Sequence, residues 1–328
     1  MNRGLVATRI GYFGKVPGRA DFVKASDNPA LLDVLDAWLA QAMELLGADP
    51  HWKRSYDTLA PLHFAFVGPR RGRAIGGHIR ASCDQAQRRF PFLMMSTMDV
   101  AEPARFVPNS PLVLAPLWHR LDSLSATALA APDPGAVLQQ AAGSVIDIDL
   151  GAASHDATFD AFQSTHSVGA LDALLGQAGF TGALRQVMLA LGLLLQPVLA
   201  SSSNRLEKSL RLPLPAAPHD QNLVAAFWMH LIAPFLARAD FELALFVTRH
   251  DGRPVLVLGF SGASAQTLHA LLDPRTATEH HISFDDLAWV EEQLASDYAV
   301  AKLSAYLAQP ALTLKSAHDA LRAAFLGA

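Results

Sequence analysis

Three stretches bring together residue types that could do chemistry: Cys83 with Arg89, Ser261 with later acids and a histidine, and the charged turn Gly14–Phe22. Cys83-Asp84-Gln85-Ala86-Gln87-Arg88-Arg89 has the cysteine-to-arginine spacing of cysteine phosphatases. That chemistry needs a thiolate of lowered pKa, a ring of main-chain N–H groups and a helix N-terminus for the phosphate. Here Asp84 sets a negative charge beside the thiol. Ala86 stands where the tight turn wants glycine, Ser82 stands where a histidine is expected, and Phe90-Pro91 leads into a strand. A small packed cysteine explains the stretch better.

Ser261 lies in Gly259-Phe260-Ser261-Gly262-Ala263, loosely like a nucleophile elbow between strand and helix. Asp273 or Asp285, then His318, follow in the order of a triad. Ala263 replaces the last glycine, no glycine-rich oxyanion loop precedes it, and the strands before it read as a hairpin. The plainer reading is a strand-to-helix turn capped by Ser261 or Ser264. A serine hydrolase using Ser261 is the alternative to a binding protein. His280 and His281, near Asp285 and Asp286, are adjacent and so point apart, and no second ligand group stands at metal spacing. No metal or other cofactor is expected.

The third stretch is Gly14-Lys15-Val16-Pro17-Gly18-Arg19-Ala20-Asp21-Phe22-Val23. As a phosphate loop it fails at both ends, because Arg9 stands where the first glycine belongs and Val16 follows the lysine. What remains is a turn shaped by Gly14, Pro17 and Gly18. Its charged residues either pair locally or face a partner.

The elements that must position these residues follow from periodicity. Alternation over 5–16 predicts a strand with a turn beyond it. Asn28-Pro29 opens a helix whose Leu31, Leu35, Trp38, Leu39, Ala42 and Leu46 recur at helical spacing, closed by Gly47. Residues 62–67 and 74–81 predict a hairpin, 90–100 a third strand, and 108–129 a helix. The Pro- and Gly-rich run 130–136 reads as a linker. Beyond it come a short strand at 144–150 and helices at 157–176, 182–200 and 222–237. A second hairpin at 241–260 precedes helices at 264–272, 284–307 and 315–325. Phe66-Val67 with Gly72-Arg73, and Phe246-Val247 with Gly252-Arg253, hint that the two hairpins repeat one another. Too few strands are separated by crossover helices for a doubly wound sheet. The expected class is α/β of the α+β kind, antiparallel sheets flanked by helices, in a two-part chain with a boundary after residue 132.

Of 328 residues, 51% are hydrophobic and 17% charged, so a large core is available and disorder is excluded. A net charge of −4 offers no basic excess for nucleic acid. One cysteine cannot build a disulfide framework and favours a reducing compartment. No signal-like apolar run opens the chain. Val187–Leu195, the most apolar stretch, is too short to cross a bilayer. A cytoplasmic protein without membrane insertion is expected.

Two motifs carry a resemblance. Gly11-Tyr12-Phe13-Gly14-Lys15-Val16-Pro17-Gly18-Arg19-Ala20-Asp21-Phe22 and Ser82-Cys83-Asp84-Gln85-Ala86-Gln87-Arg88-Arg89-Phe90-Pro91 resemble the two signatures of the TagF/ImpM family of type VI secretion-associated proteins. Residues 28–39 resemble the helix that follows the first signature. The matching positions are Gly11, Tyr12, Gly14, Lys15, Pro17, Arg19, Asp21 and Phe22 in the first, and Ser82, Asp84, Arg88, Phe90 and Pro91 in the second. Ala20 and Gln87 stand where the family usually has glycine, and at Gln87 this removes a residue tolerant of positive φ. The resemblance is specific over residues 8–100 and looser beyond. It implies a TagF-like domain over 1–132 and a C-terminal helical and α/β region over 133–328. It implies a non-enzymatic, post-translational repressor of type VI assembly or firing, acting by protein binding. The forkhead-associated scaffold is among the implied partners. A structural subunit of the apparatus is a further alternative. Arg19 or Arg88 bonded to Asp84 or Asp21 in a buried pair would explain both signatures without a partner.

Overall fold

A computed structural model describes residues 4–200 and 206–327. The first part of the chain forms β1 (Leu5–Arg9), β2 (Gly11–Gly14), β3 (Val23–Ala25), α1 (Pro29–Gly47), α2 (Trp52–Asp57), β4 (Leu62–Val67), β5 (Arg73–Arg80), β6 (Phe92–Asp99), α3 (Pro103–Ala130), α4 (Gly135–Gly143) and β7 (Val145–Asp149). Then follow α5 (Ala152–Thr165), α6 (Val168–Gln177), α7 (Leu184–Ala200), β8 (Ser209–Pro213), α8 (Pro218–Leu236), β9 (Leu243–His250), β10 (Arg253–Gly259) and α9 (Ala265–Leu272). The chain ends with α10 (Ala277–His280), β11 (His281–Ser283), α11 (Ala288–Ser296), α12 (Tyr298–Leu307) and α13 (Leu314–Leu326).

Nine strands build one sheet in the order β11-β8-β10-β9-β4-β5-β6-β2-β3, and β1 pairs with β7 in a small separate ribbon. Every pairing in the sheet is antiparallel except β11 with β8. The expected class holds: antiparallel sheets flanked by helices. The expected boundary after residue 132 falls between α3 and α4. The sheet nevertheless runs across both parts, since β9 pairs with β4 with Phe246 opposite Phe64.

Side chains alternate across each strand, so each half of a strand's residues feeds one face. Phe64 and Phe246 pack with Trp38 of α1 and Leu268 of α9 on one face. Ala65 and Leu245 pack with Trp118 of α3 and Trp228 of α8 on the other. The helix before the first hairpin therefore lies on the opposite face from the helix before the second. The hairpin connections also differ, five residues against two. A rotation that superposes the hairpins does not superpose their helices, so the hinted repeat stops at the hairpin.

Local chemistry explains the elements that matter for the site. Asn28 Oδ1 accepts the Leu31 N–H at 3.1 Å and Pro29 stands in the first turn, which starts α1 where expected. Helix α3 starts five residues earlier than expected and carries Pro108, Pro111 and Pro116 inside it. Each proline denies an N–H to the carbonyl four residues back. Ser110 supplies one replacement, its hydroxyl bonding the Val107 carbonyl at 2.8 Å. The helix lies close on the sheet because Gly76 leaves room, while Gly77 makes room for the Phe64 ring on the opposite face. A Cβ on Gly76 would stand 2.8 Å from Leu117, and one on Gly77 would stand 2.2 Å from the Phe64 ring. Trp118 Nε1 fastens the layers by donating to the Phe64 carbonyl at 3.0 Å.

Two expected helices are broken. The 157–176 pattern splits at His166-Ser167, where Ser167 caps α6. The 284–307 pattern splits at Asp297, whose carboxylate accepts the Ala299 and Val300 N–H groups and caps α12.

Candidate functional site

Both signature stretches converge below the end of β2. Gly14 has φ +133°, and a Cβ there would stand 2.1 Å from the Pro91 carbonyl oxygen. Only glycine lets the two stretches approach this closely. Lys15 and Val16 then turn inward. The Arg19 N–H donates to the Val16 carbonyl at 3.1 Å, closing a turn with Pro17 at its second position.

The second stretch is a tight loop built on Asp84, whose side chain is 0% exposed. Its Oδ1 accepts the Ala86 and Arg88 N–H groups, each at 2.9 Å. Its Oδ2 accepts Lys15 Nζ at 2.9 Å and Arg88 Nε at 2.6 Å. Burial pushes this carboxyl up. The hydrogen bonds from Lys15 and from the Arg88 main chain and guanidinium outweigh it and hold the group well below the usual carboxylate range. Two cations and two amides around one buried anion satisfy it fully.

The loop is then sewn to the first stretch. Gln85 N–H donates to the Arg19 carbonyl at 2.9 Å, and Arg88 Nη2 donates to the Ala20 carbonyl at 2.8 Å. Ser82 Oγ donates to the Lys15 carbonyl at 2.7 Å. Tyr56 Oη donates to the Ser82 carbonyl and accepts its N–H, both at 2.9 Å. Three rings cover the buried lysine: Phe22 stacks on Phe13 at 5.4 Å and meets Phe90 edge-on at 4.9 Å. Lys15 Nζ lies 5.1 Å from the Phe22 centroid, in cation–π range.

Of the signature residues, Gly14, Lys15, Ser82, Asp84, Arg88, Phe90 and Pro91 are brought together. Of the pair expected from the sequence, Arg88 does bond Asp84, but only the carboxylate is buried: the Arg88 side chain is 61% exposed, and the buried cation is Lys15. Arg19 and Asp21 are not part of it. Arg19 points outward to Asp133 at 2.9 Å, both exposed. Asp21 is exposed and has no ion pair or side-chain hydrogen bond among the described residues. Phe22, although stacked, keeps 45% of its surface in water. Pro17 is also exposed. The turn therefore sends Lys15 inward and leaves Asp21 and Phe22 outside. Its outer edge rests on the 131–134 connection, where a Cβ on Gly18 would stand 2.7 Å from Pro134.

The other candidate sets are not assembled. Ser261 is exposed with no imidazole bonded to it among the described residues. Asp273 is bonded to Arg275, Asp285 to Arg253 and Arg211, and His318 to Gln163. Ser264, not Ser261, caps the helix. Cys83 faces Arg89 across the loop and its thiol meets Gln87 Oε1 at 3.6 Å, with no helix following. His281 is buried while His280 is half-buried, and no group of three metal-binding side chains occurs among the described residues.

One polar set escaped sequence reasoning. His78 is 1% exposed, its Nδ1 lies 2.9 Å from His63 Nδ1, and its Nε2 lies 3.0 Å from Asp122 Oδ1. Burial, then His78 beside it, pushes His63 down to about 3, and burial lowers His78. Both rings are neutral near pH 7. His78 Nε2 is within ion-pair distance of Asp122 but not aligned for a hydrogen bond, and one of the two facing Nδ1 atoms carries the proton that the other accepts. His63 also stacks on Trp118 at 5.5 Å. The set joins α3 to the sheet. Its signal was the hairpin register, which places residues 63 and 78 opposite one another.

Residues 11–145 match the model of the TagF N-terminal domain, described as type VI secretion system-associated. Among solved structures, PA0076 from Pseudomonas aeruginosa PAO1 is similar at 24% identity and a TM-score of 0.36, over 43% of this chain and 64% of that one. The chain thus matches just under two thirds of that structure's length. No curated protein matches the chain.

Proposed function

Residues 11–145 form a TagF N-terminal domain of the type VI secretion-associated family, and from that premise we propose that the protein is a non-enzymatic regulator that represses type VI assembly or firing by binding another protein of the system. The forkhead-associated scaffold is the partner this reading favours, and competition for its surface is the mechanism. Turnover is not required.

The observation that supports binding is the division of the signature residues. Lys15, Asp84 and Arg88 are used up internally. Asp21 and Phe22 are left outward, side by side, one an exposed charge and the other an exposed ring. An exposed aromatic ring is the kind of anchor that interfaces favour, and the ion cluster around Asp84 holds its backbone in place.

Secretion through the type VI apparatus, measured in cells of the source organism, tests the reading. Removing the protein is expected to raise secretion, and returning it to lower secretion again. Asp21→Arg and Phe22→Ala are expected to fold, fail to restore repression and lose co-purification with the scaffold. Unchanged secretion on removal would sink the regulatory reading. Full repression by both variants would move the docking surface elsewhere.

A further inference from the structure

A groove of about 410 Å³ opens where the β4–β5 hairpin turns, on the sheet face that carries α1 and α9. One wall is Leu31, Val34 and Leu35, a single stripe along the first turns of α1. Phe66 and Ile75 form the floor, and Ala263 stands across from the stripe. Val34 is 56% exposed, while Leu31, Phe66 and Ile75 are half-buried. The groove exists because the two helices meet only further along. Trp38 Nε1 donates to the Ser264 carbonyl at 3.2 Å, and α9 begins at Ala265.

The rim has a sign. Its charged residues are Arg70, Arg71, Arg73 and Glu242, in a chain of net charge −4. Arg71 is shared by Glu242 and Asp240, each at 3.0 Å, and so has no charge left for a ligand. Arg73 is held loosely by Asp99 at 3.3 Å. Arg70 donates to the Arg238 carbonyl at 2.8 Å and has no carboxylate partner among the described residues. Arg70 is therefore the rim arginine whose charge is left for a ligand, with Arg73 next because its carboxylate partner is exposed.

The floor also limits the ligand's form. Both β4 and β5 are internal strands, each paired on both sides. They offer no free ladder edge to an extended peptide, so recognition must come through side chains. A helix, whose main chain is already satisfied, suits such a groove.

We propose that this groove docks an amphipathic helix of a partner protein, with apolar residues at i, i+3 or i+4 and i+7 against Val34, Phe66 and Ile75 and with carboxylates along the flank facing Arg70 and Arg73. This rests on the regulatory reading above and names the chemistry of the partner. It adds a surface at the opposite strand ends from the Asp21–Phe22 turn.

The test pans the purified full chain against a displayed library of helix-favouring peptides about five turns long, with Val34→Glu as the counter-target. Val34 is largely exposed, so this variant is expected to fold, and its melting curve checks that it does. Enriched peptides are expected to carry an apolar stripe and an excess of Asp and Glu. Their affinity should fall at least about tenfold in Val34→Glu and about threefold or more in Arg70→Ala, and should weaken with added salt. No enrichment over the counter-target, enrichment of basic or uncharged peptides, or equal binding to Val34→Glu would overturn the proposal. So would self-association of the wild type that Val34→Glu abolishes, which would make a second copy the occupant. A small apolar molecule seen in the groove by native mass spectrometry would overturn it too. A failed selection alongside derepression on removal of the protein leaves the regulator and discards the groove. Unchanged secretion on removal discards the regulator whatever the peptides show.

Discussion

Gln87 has φ +61°, the left-handed region that a side chain enters at a cost. It turns the loop so that Asp84 can accept the Arg88 N–H. Gln87→Gly is expected to hold or raise the melting temperature, because relief of the strain offsets the added chain entropy. Gln87→Val should lower stability by about 1–2 kcal/mol, read by urea unfolding. Asp84→Ala should destabilise more than Asp21→Ala, since only the former leaves Lys15 buried without its anion. Asp84 has its pKa lowered in the fold. Its contribution is present above the ordinary carboxylate range and lost as pH falls below that range. A comparison of wild type with Asp84→Asn should show the difference in stability shrinking in acid. The residue types of this cluster and the need for positive φ at Gln87 could be read in the sequence. The choice of Lys15 over Arg19 could not, because it depends on Gly14 allowing the Pro91 strand to close over the turn.

At the scale of elements, the hairpins and α1 were legible because alternation, turn glycines and a capped Pro start all agree. Short edge strands were not. β3 and β11 have three residues each, too few for periodicity to register, and they exist because β2 and β8 offer them a ladder. Leu287, Val290 and Leu294 continue at helical spacing to Tyr298 and so mask the break before α12, yet Tyr298 is 85% exposed. The α3–sheet contact is the element most sensitive to size. Gly76→Val should cost about 1–3 kcal/mol by forcing α3 off β5, measured by chemical unfolding, while Gly47→Ala, with nothing within 4 Å of its Cβ, should not destabilise. A near-neutral Gly76→Val would show that α3 has slack over the sheet.

Over the whole molecule, several histidines are held neutral by burial. His63 and His281 are lowered to about 3, and His230 and His318 to about 4. The unfolded chain takes up these protons near pH 6.5 while the folded one does not. Stability is therefore full above that pH and falls as pH drops from about 6.5 towards 4 and 3. Each such group can contribute up to about 1.4 kcal/mol per pH unit. Unfolding in urea at pH 7 and pH 5 should differ by at least about 2 kcal/mol, with His63→Gln reducing the slope. A flat profile would mean that the rings are already charged in the fold.

The shared sheet sets a timetable for synthesis. Phe64 lies opposite Phe246, so β4 waits roughly 180 residues for its neighbour. At about 5–20 residues per second, translation leaves the open side of β4 exposed for on the order of 10–40 s. During that interval the nascent chain already holds Phe64, Phe66 and the β5 and β6 strands, with an unpaired ladder beside them. The ribosome-bound half of this protein should depend on chaperones until β9 emerges, and a fragment released at residue 145 should associate through that edge.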